Sequence, residues 1–207
     1  MTSQQPIGEI IETTSLYFVA QRLETTTSPS PRPVQPPNLG SLVWAHLPDG
    51  GKVYAVVTYG TTTGVESHRR AVVRSRGDIR DEQVYREHPQ LHRVLRTVFQ
   101  AALVGYEDGT TLYRHLPPQP PPLHFTTYAA TPEETARFSE DMRYFRLLLT
   151  LSSPVPAEHV LAAHIREVAR ARQDGAPWTE QAARYVARLL KRDYERLQAT
   201  LEAIADD

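Results

Sequence analysis

The feature that most constrains this 207-residue chain is a change of hydrophobic period at a proline run, Pro117–Pro122. Before the run, apolar residues alternate or occur in short β-branched and aromatic blocks. After it they recur every three to four residues. Side chains two apart share a strand face, and side chains three to four apart share a helix face. The order predicts an α+β chain: a small N-terminal β-barrel over residues 1–116, a proline-rich connector holding a candidate last strand over 117–130, and a C-terminal helical hairpin or three-helix domain over 131–207.

The strand signals begin at Ile7-Gly8-Glu9-Ile10-Ile11-Glu12. Over Thr14–Leu23, Leu16, Phe18 and Ala20 alternate with Tyr17, Val19 and Gln21. The segments Gly40–Leu47 and Lys52–Tyr59 are richer in β-branched and aromatic residues, and Asp49-Gly50-Gly51 between them signals a hairpin. Gly60–Gly64 reads as a turn. Ala101–Tyr106 and Thr111–Tyr113 form a second hairpin around Asp108-Gly109. A helical insertion is expected over 81–99, broken at Pro89, with Leu91, Leu95 and Val98 on one face. Residues 25–38, with five of the 17 prolines in Pro29–Pro37, should be a mobile loop or extended polyproline II.

Beyond the connector, Thr131-Pro132-Glu133-Glu134 is a capping box with proline at the first helical position. Phe138, Met142, Phe145 and Leu149 make the stripe of the helix it starts. A second helix is expected from Pro156 to Asp174-Gly175, with Leu161, Ile165 and Val168 inward. A third runs from Thr179 to Ala205 on Ala182, Val186, Leu189, Leu197, Leu201 and Ile204.

Composition excludes some chemistry. The chain has no cysteine, so disulfides, thiolate metal sites and thiol nucleophiles are ruled out. No apolar run is long enough to span a bilayer, and the early Glu9 and Glu12 are unlike a signal peptide, so a cytoplasmic location is expected. Residues 1–128 carry 12 basic and 11 acidic residues and residues 129–207 carry 11 and 13, which is not the bias of a dedicated nucleic-acid binder. Arginine supplies 21 of the 23 basic residues, as a GC-rich genome would produce.

Catalytic motifs are missing. Gly60–Gly64 lacks the lysine and hydroxyl of a phosphate loop. His88 and His92 have a metal-compatible spacing, but Pro89 interrupts the helix they need; His159 and His164 are spaced for no shared face. Glu133 and Glu134 suit a helix N-terminus, and Glu140 and Asp141 a helix surface. No catalytic residue, metal or cofactor is predicted. An enzyme of unfamiliar type would instead show a deep polar pocket with converging charges. The strongest polar cluster is His68–Arg76 with Arg80. If Ala71–Ser75 is a strand, Arg70, Arg74 and Arg76 form a basic stripe beside Arg69 and Arg80. A solvated face, a protein contact and a phosphate contact all fit such a stripe; the lack of interleaved aromatics argues against base stacking.

Over roughly residues 5–115 the chain resembles the HAS-barrel, the small β-barrel of HerA-type DNA-translocating ATPases and of ATP synthase catalytic subunits. The resemblance rests on Ile7-Gly8-Glu9-Ile10, the aromatic strand Ser15–Ala20, the glycine-then-apolar step Leu39-Gly40-Ser41-Leu42-Val43, then Val53–Val57 and Leu103-Val104-Gly105-Tyr106. In that family a RecA-like ATPase follows the barrel. Here helices follow and no Walker lysine exists, so no catalytic role carries over. The resemblance implies a barrel that packs side by side into rings and docks accessory proteins. The expected function is a non-catalytic scaffold or adaptor that self-associates or docks onto a ring ATPase or nucleic-acid-processing complex. The alternative is a nucleic-acid-binding module using Arg69, Arg70, Arg74, Arg76 and Arg80. The expected partner is a protein; nucleic-acid contact would be indirect, and neither a membrane nor a small-molecule substrate is expected.

Overall fold

The computed structural model describes residues 4, 6–23, 33–64, 72–75 and 77–205, with only the backbone of residues 92 and 93. Its centre is a closed antiparallel barrel. The staves are β1 (Pro6–Thr13), β2 (Tyr17–Arg22), β3 (Leu42–His46), β4 (Lys52–Gly64), β5 (Leu95–Asp108) and β7 (Thr126–Ala129). They close in the order β1–β2–β5–β4–β3–β7–β1, and β6 (Thr111–Tyr113) extends β5 outside the ring. Closure removes the exposed strand edges that would template aggregation. Both expected hairpins form, at Asp49-Gly50-Gly51 and Asp108-Gly109.

Strand alternation decides what fills the barrel. Ile10, Phe18, Ala20, Val43, Ala45, Val53, Ala55, Val57, Phe99, Ala101 and Leu103 form one buried cluster, so the interior is packed with side chains. The opposite faces of β3, β4 and β5 carry Leu42, Trp44, Tyr54, Val56 and Val104, which join a second cluster built by the helices. A strand buried on both sides has to be apolar throughout. That is why β3 and β4 read as apolar blocks while β2, covered on one side, alternates.

The helices are α1 (Glu82–Glu87), α2 (Leu91–Val94), α3 (Pro132–Phe138), α4 (Phe145–Leu149), α5 (Ala157–Ala171), α6 (Gly175–Leu189) and α7 (Tyr194–Ala205), with a 3-10 turn at Met142–Tyr144. The capping box forms as expected: Glu134 N donates to the Thr131 hydroxyl, and Thr131 N to the Glu134 carboxylate. Helix α5 is central and packs against α3, α4, α6, α7 and β4. The helices thus cover the chain's own barrel, through Phe138, Tyr144, Phe145, Leu148 and Leu161. No helix among the described residues is long and apolar enough to cross a membrane.

Several expectations are corrected. The helical insertion ends at Val94; Leu95–Phe99 is the start of β5, where Thr97 and Phe99 pair with Thr62 and Gly60. The spacing of Leu91, Leu95 and Val98 imitated a helix, but the β-branched and aromatic content of Thr97-Val98-Phe99 and two flanking staves won. Gly60–Gly64 is the end of β4, not a turn. The third helix is two, α6 and α7: Asp193 stops the run by capping α7, its carboxylate accepting from Arg196 N. Asp174-Gly175, expected to end the second helix, opens α6. Of the presumed strand Ala71–Ser75, the described residues 72–75 are exposed and in no regular element. The connector lies between β6 and β7, and β7 is a stave between β1 and β3.

Candidate functional site

Of the arginines expected to form the stripe and its neighbours, the structure describes Arg74 and Arg80, neither in a strand. Arg74 and Arg80 are exposed and have no acidic partner among the described residues. Arg69, Arg70 and Arg76 lie outside the described residues. The carboxylates noted in the sequence have structural work: Glu134 caps α3 and takes the Lys52 ammonium at 2.7 Å, while Asp141 pairs with Arg143 at 2.7 Å. Both are held below the usual carboxylate range by these partners against the opposing effect of burial. No group of three or more acidic or histidine side chains among the described residues could hold a metal; the side chain of His92 lies outside them.

Among the described histidine side chains, His164 is the one drawn fully into the core. Its Nε2 lies 2.8 Å from the Tyr144 hydroxyl and its Nδ1 2.7 Å from the Gly40 carbonyl. With a carbonyl opposite Nδ1, that nitrogen carries the proton and Nε2 accepts from the tyrosine. Burial lowers the imidazole pKa to about 4, opposed by the bond to Gly40, and raises that of Tyr144. The chain Tyr144–His164–Gly40 ends on a main-chain carbonyl and ties α5 to the barrel.

The site with unspent binding capacity is one mouth of the barrel. The far ends of β4 and β5 are paired out to Gly64 and Leu95, beyond the last β2–β5 pair, Gln21 with Val98. There the Thr62 and Thr97 hydroxyls meet at 2.8 Å, and Thr97 donates to the Val34 carbonyl at 3.0 Å. Residues of the proline-rich segment lie across this end. A β-carbon at Gly60 would fall 2.6 Å from Pro36 Cβ, so the glycine leaves room for the proline ring. The described part of that segment, 33–38, therefore packs on the barrel. Tyr85 of α1 and Leu91 of α2 close the other side of a cavity of about 30 Å³ that also meets Arg22 and Arg96.

Neither arginine has an acidic partner among the described residues. Arg22 donates from Nη1 to the Ile7 carbonyl at 2.9 Å, and its Nε is buried without a partner among the described residues; so is the Nε of Arg96. Burial lowers the Arg22 pKa. Among the described residues no carboxylate lines the cavity. Sequence reasoning passed over Arg22, Thr62, Arg96 and Thr97. A signal for Arg22 existed: Phe18 and Ala20 point inward, and a period of two puts residue 22 on the same face. No protein-family model matches the chain, and no curated protein matches it.

Proposed function

We propose that this chain is a non-catalytic adaptor of HAS-barrel type, acting in the cytoplasm, whose barrel wall joins it to a second copy of itself. In that form it would mount onto a ring ATPase or nucleic-acid-processing complex. The observation that carries the reading is the uneven cover of the barrel. The apolar cluster shared with the helices takes no side chain from β1 or β2 among the described residues. That wall presents Tyr17, Val19 and Gln21 beside Val98 and Gln100, half-buried rather than hidden, and Leu16 at its end is 57% exposed. Its acidic side, Glu9 and Glu12, complements the unpaired Arg74 and Arg80 of another copy. A contact between two different patches is heterologous and closes into rings when the rotation permits.

Light scattering on size-exclusion fractions over a range of concentrations checks this. A mass above that of one chain is expected, falling as salt rises because the charged contacts are screened. Val19→Glu should weaken association by about tenfold or more, the effect of roughly 1.4 kcal/mol. A strict monomer at every concentration and salt overturns self-association.

The exposed Arg74 and Arg80 favour a second reading, a nucleic-acid contact. Its signature is an affinity that falls steeply with salt and flattens when Arg70, Arg74 and Arg76 are replaced by alanine. Absence of binding to DNA or RNA at low salt removes it.

A further inference from the structure

We infer that the barrel-mouth cavity is a binding site for the oxyanion head, phosphate or carboxylate, of a small ligand. A small anion is not among the partners the sequence suggests, and the inference is independent of how the outer wall is used.

The first reason is charge. A guanidinium does not shed its proton at any pH a protein tolerates, so it cannot escape burial by becoming neutral as a lysine can. An ionised group taken from water without a counter-charge is costly. Arg22 and Arg96 both line this cavity, and among the described residues both have a buried Nε with no partner and no acidic side chain lines the cavity with them. Two other partly buried guanidinium groups have acids, Arg172 on Asp174 at 2.7 Å and Arg196 on Glu158, and Arg114 spends Nε and both Nη on main-chain carbonyls. At the mouth, Arg22 and Arg96 each keep a buried Nε with neither an acid nor a carbonyl among the described residues, and an anion from solution would supply the missing charge.

The second reason is donor geometry. The free Nε of an arginine works with a neighbouring Nη as a fork that fits two oxygens of a carboxylate or phosphate. The hydroxyl hydrogens are already spent, since Thr97 donates to Val34 and Thr62 to Thr97. Arg22 and Arg96 are thus the cationic donors among the lining residues, beside Gln21 and Tyr85. Tyr85, Leu91, Leu95 and Pro33 surround them with apolar surface that strengthens each charged contact.

The third reason is size. A cavity needs roughly 10–15 Å³ by the same measure to hold one water. About 30 Å³ admits a compact head group, and a sugar or base attached to it would lie outside the cavity.

The test is calorimetric titration of the full chain with inorganic phosphate and, separately, with acetate, at constant ionic strength set with sodium chloride. Saturable binding of at least one is expected, and the tighter of the two identifies the head group. Arg22→Gln and Arg96→Gln should each weaken it at least tenfold, whereas Arg188→Gln, on α6 away from the cavity, should not. Because Arg22 also holds the Ile7 carbonyl, Arg96→Met is the safer variant: it keeps the apolar stem, and circular dichroism verifies its fold. Thermal unfolding of Arg96→Met should lose the rise in melting temperature that the ligand gives the wild-type chain. No saturable binding of either anion, or equal binding by Arg96→Met and wild type, overturns the inference.

Discussion

Gly40→Ala is expected to lower the melting temperature by roughly 6–12 °C, corresponding to about 3 kcal/mol in a chain of this size. Gly40 has φ of +84°, a conformation that costs an L side chain about 1–2 kcal/mol on its own. The larger effect is steric. A β-carbon there would lie 2.4 Å from His164 N and 2.5 Å from the Ala163 carbonyl carbon. Both are main-chain atoms of α5 and cannot rotate aside, so the helix would have to leave the barrel. Gly40 is also bonded on both sides, its N–H to the Val57 carbonyl at 2.8 Å and its carbonyl to His164. Urea and thermal unfolding of the variant check the prediction; a loss under about 1 kcal/mol, within the range of an ordinary point substitution, would show that the contact is slack.

Stability should fall as pH drops from about 6.5 to about 4, by roughly 3 kcal/mol in all, through His164 alone. Above 6.5 the imidazole is neutral both folded and unfolded and contributes no slope. Below 6.5 the unfolded chain takes up a proton that the folded chain refuses until pH reaches about 4, where the buried ring itself ionises. The unfolded state therefore gains about 1.4 kcal/mol for each pH unit across that window. The paired carboxylates Glu134, Asp141, Glu158 and Asp174, whose pKa values are lowered, withdraw their support further down, as pH falls below their ordinary values of 3.8–4.5. Urea melts at pH 7.5, 6, 5 and 4.5 separate the two. His164→Ala should abolish the upper slope while costing roughly 3–5 kcal/mol at neutral pH, from the cavity and from the orphaned Tyr144 hydroxyl and Gly40 carbonyl. Wild-type stability that stays level between pH 7 and 5 would refute this account of the buried histidine.

Much of the barrel was legible because strand signals are local. Asp49-Gly50-Gly51 and Asp108-Gly109 marked their hairpins, and the Thr131–Glu134 box marked the start of α3 to the residue. The errors fell where a local pattern is ambiguous. Leu91, Leu95 and Val98 fit a helical face, and only the pairing of Leu95–Phe99 with β4 and β2 makes Leu95 and Val98 strand while Leu91 stays in α2. Gly60–Gly64 carries turn residues, yet the same glycine serves inside a strand because Pro36 needs its missing side chain. The site was less legible than the fold. The sequence drew attention to arginines that are close along the chain, around Arg69–Arg80, whereas Arg22 and Arg96 are 74 positions apart and meet only because β2 pairs with β5.

By itself the sequence determined the α+β class and the barrel-then-helices order. Hydrophobic period is set by the geometry of each element, so it can be read without knowing neighbours. Only the tertiary structure decided that the helices cover their own barrel, that Gly40 had to be glycine, and that two uncompensated arginines share one cavity. Each of these depends on which distant residues become neighbours when the sheet closes, and a count along the chain does not contain that closure.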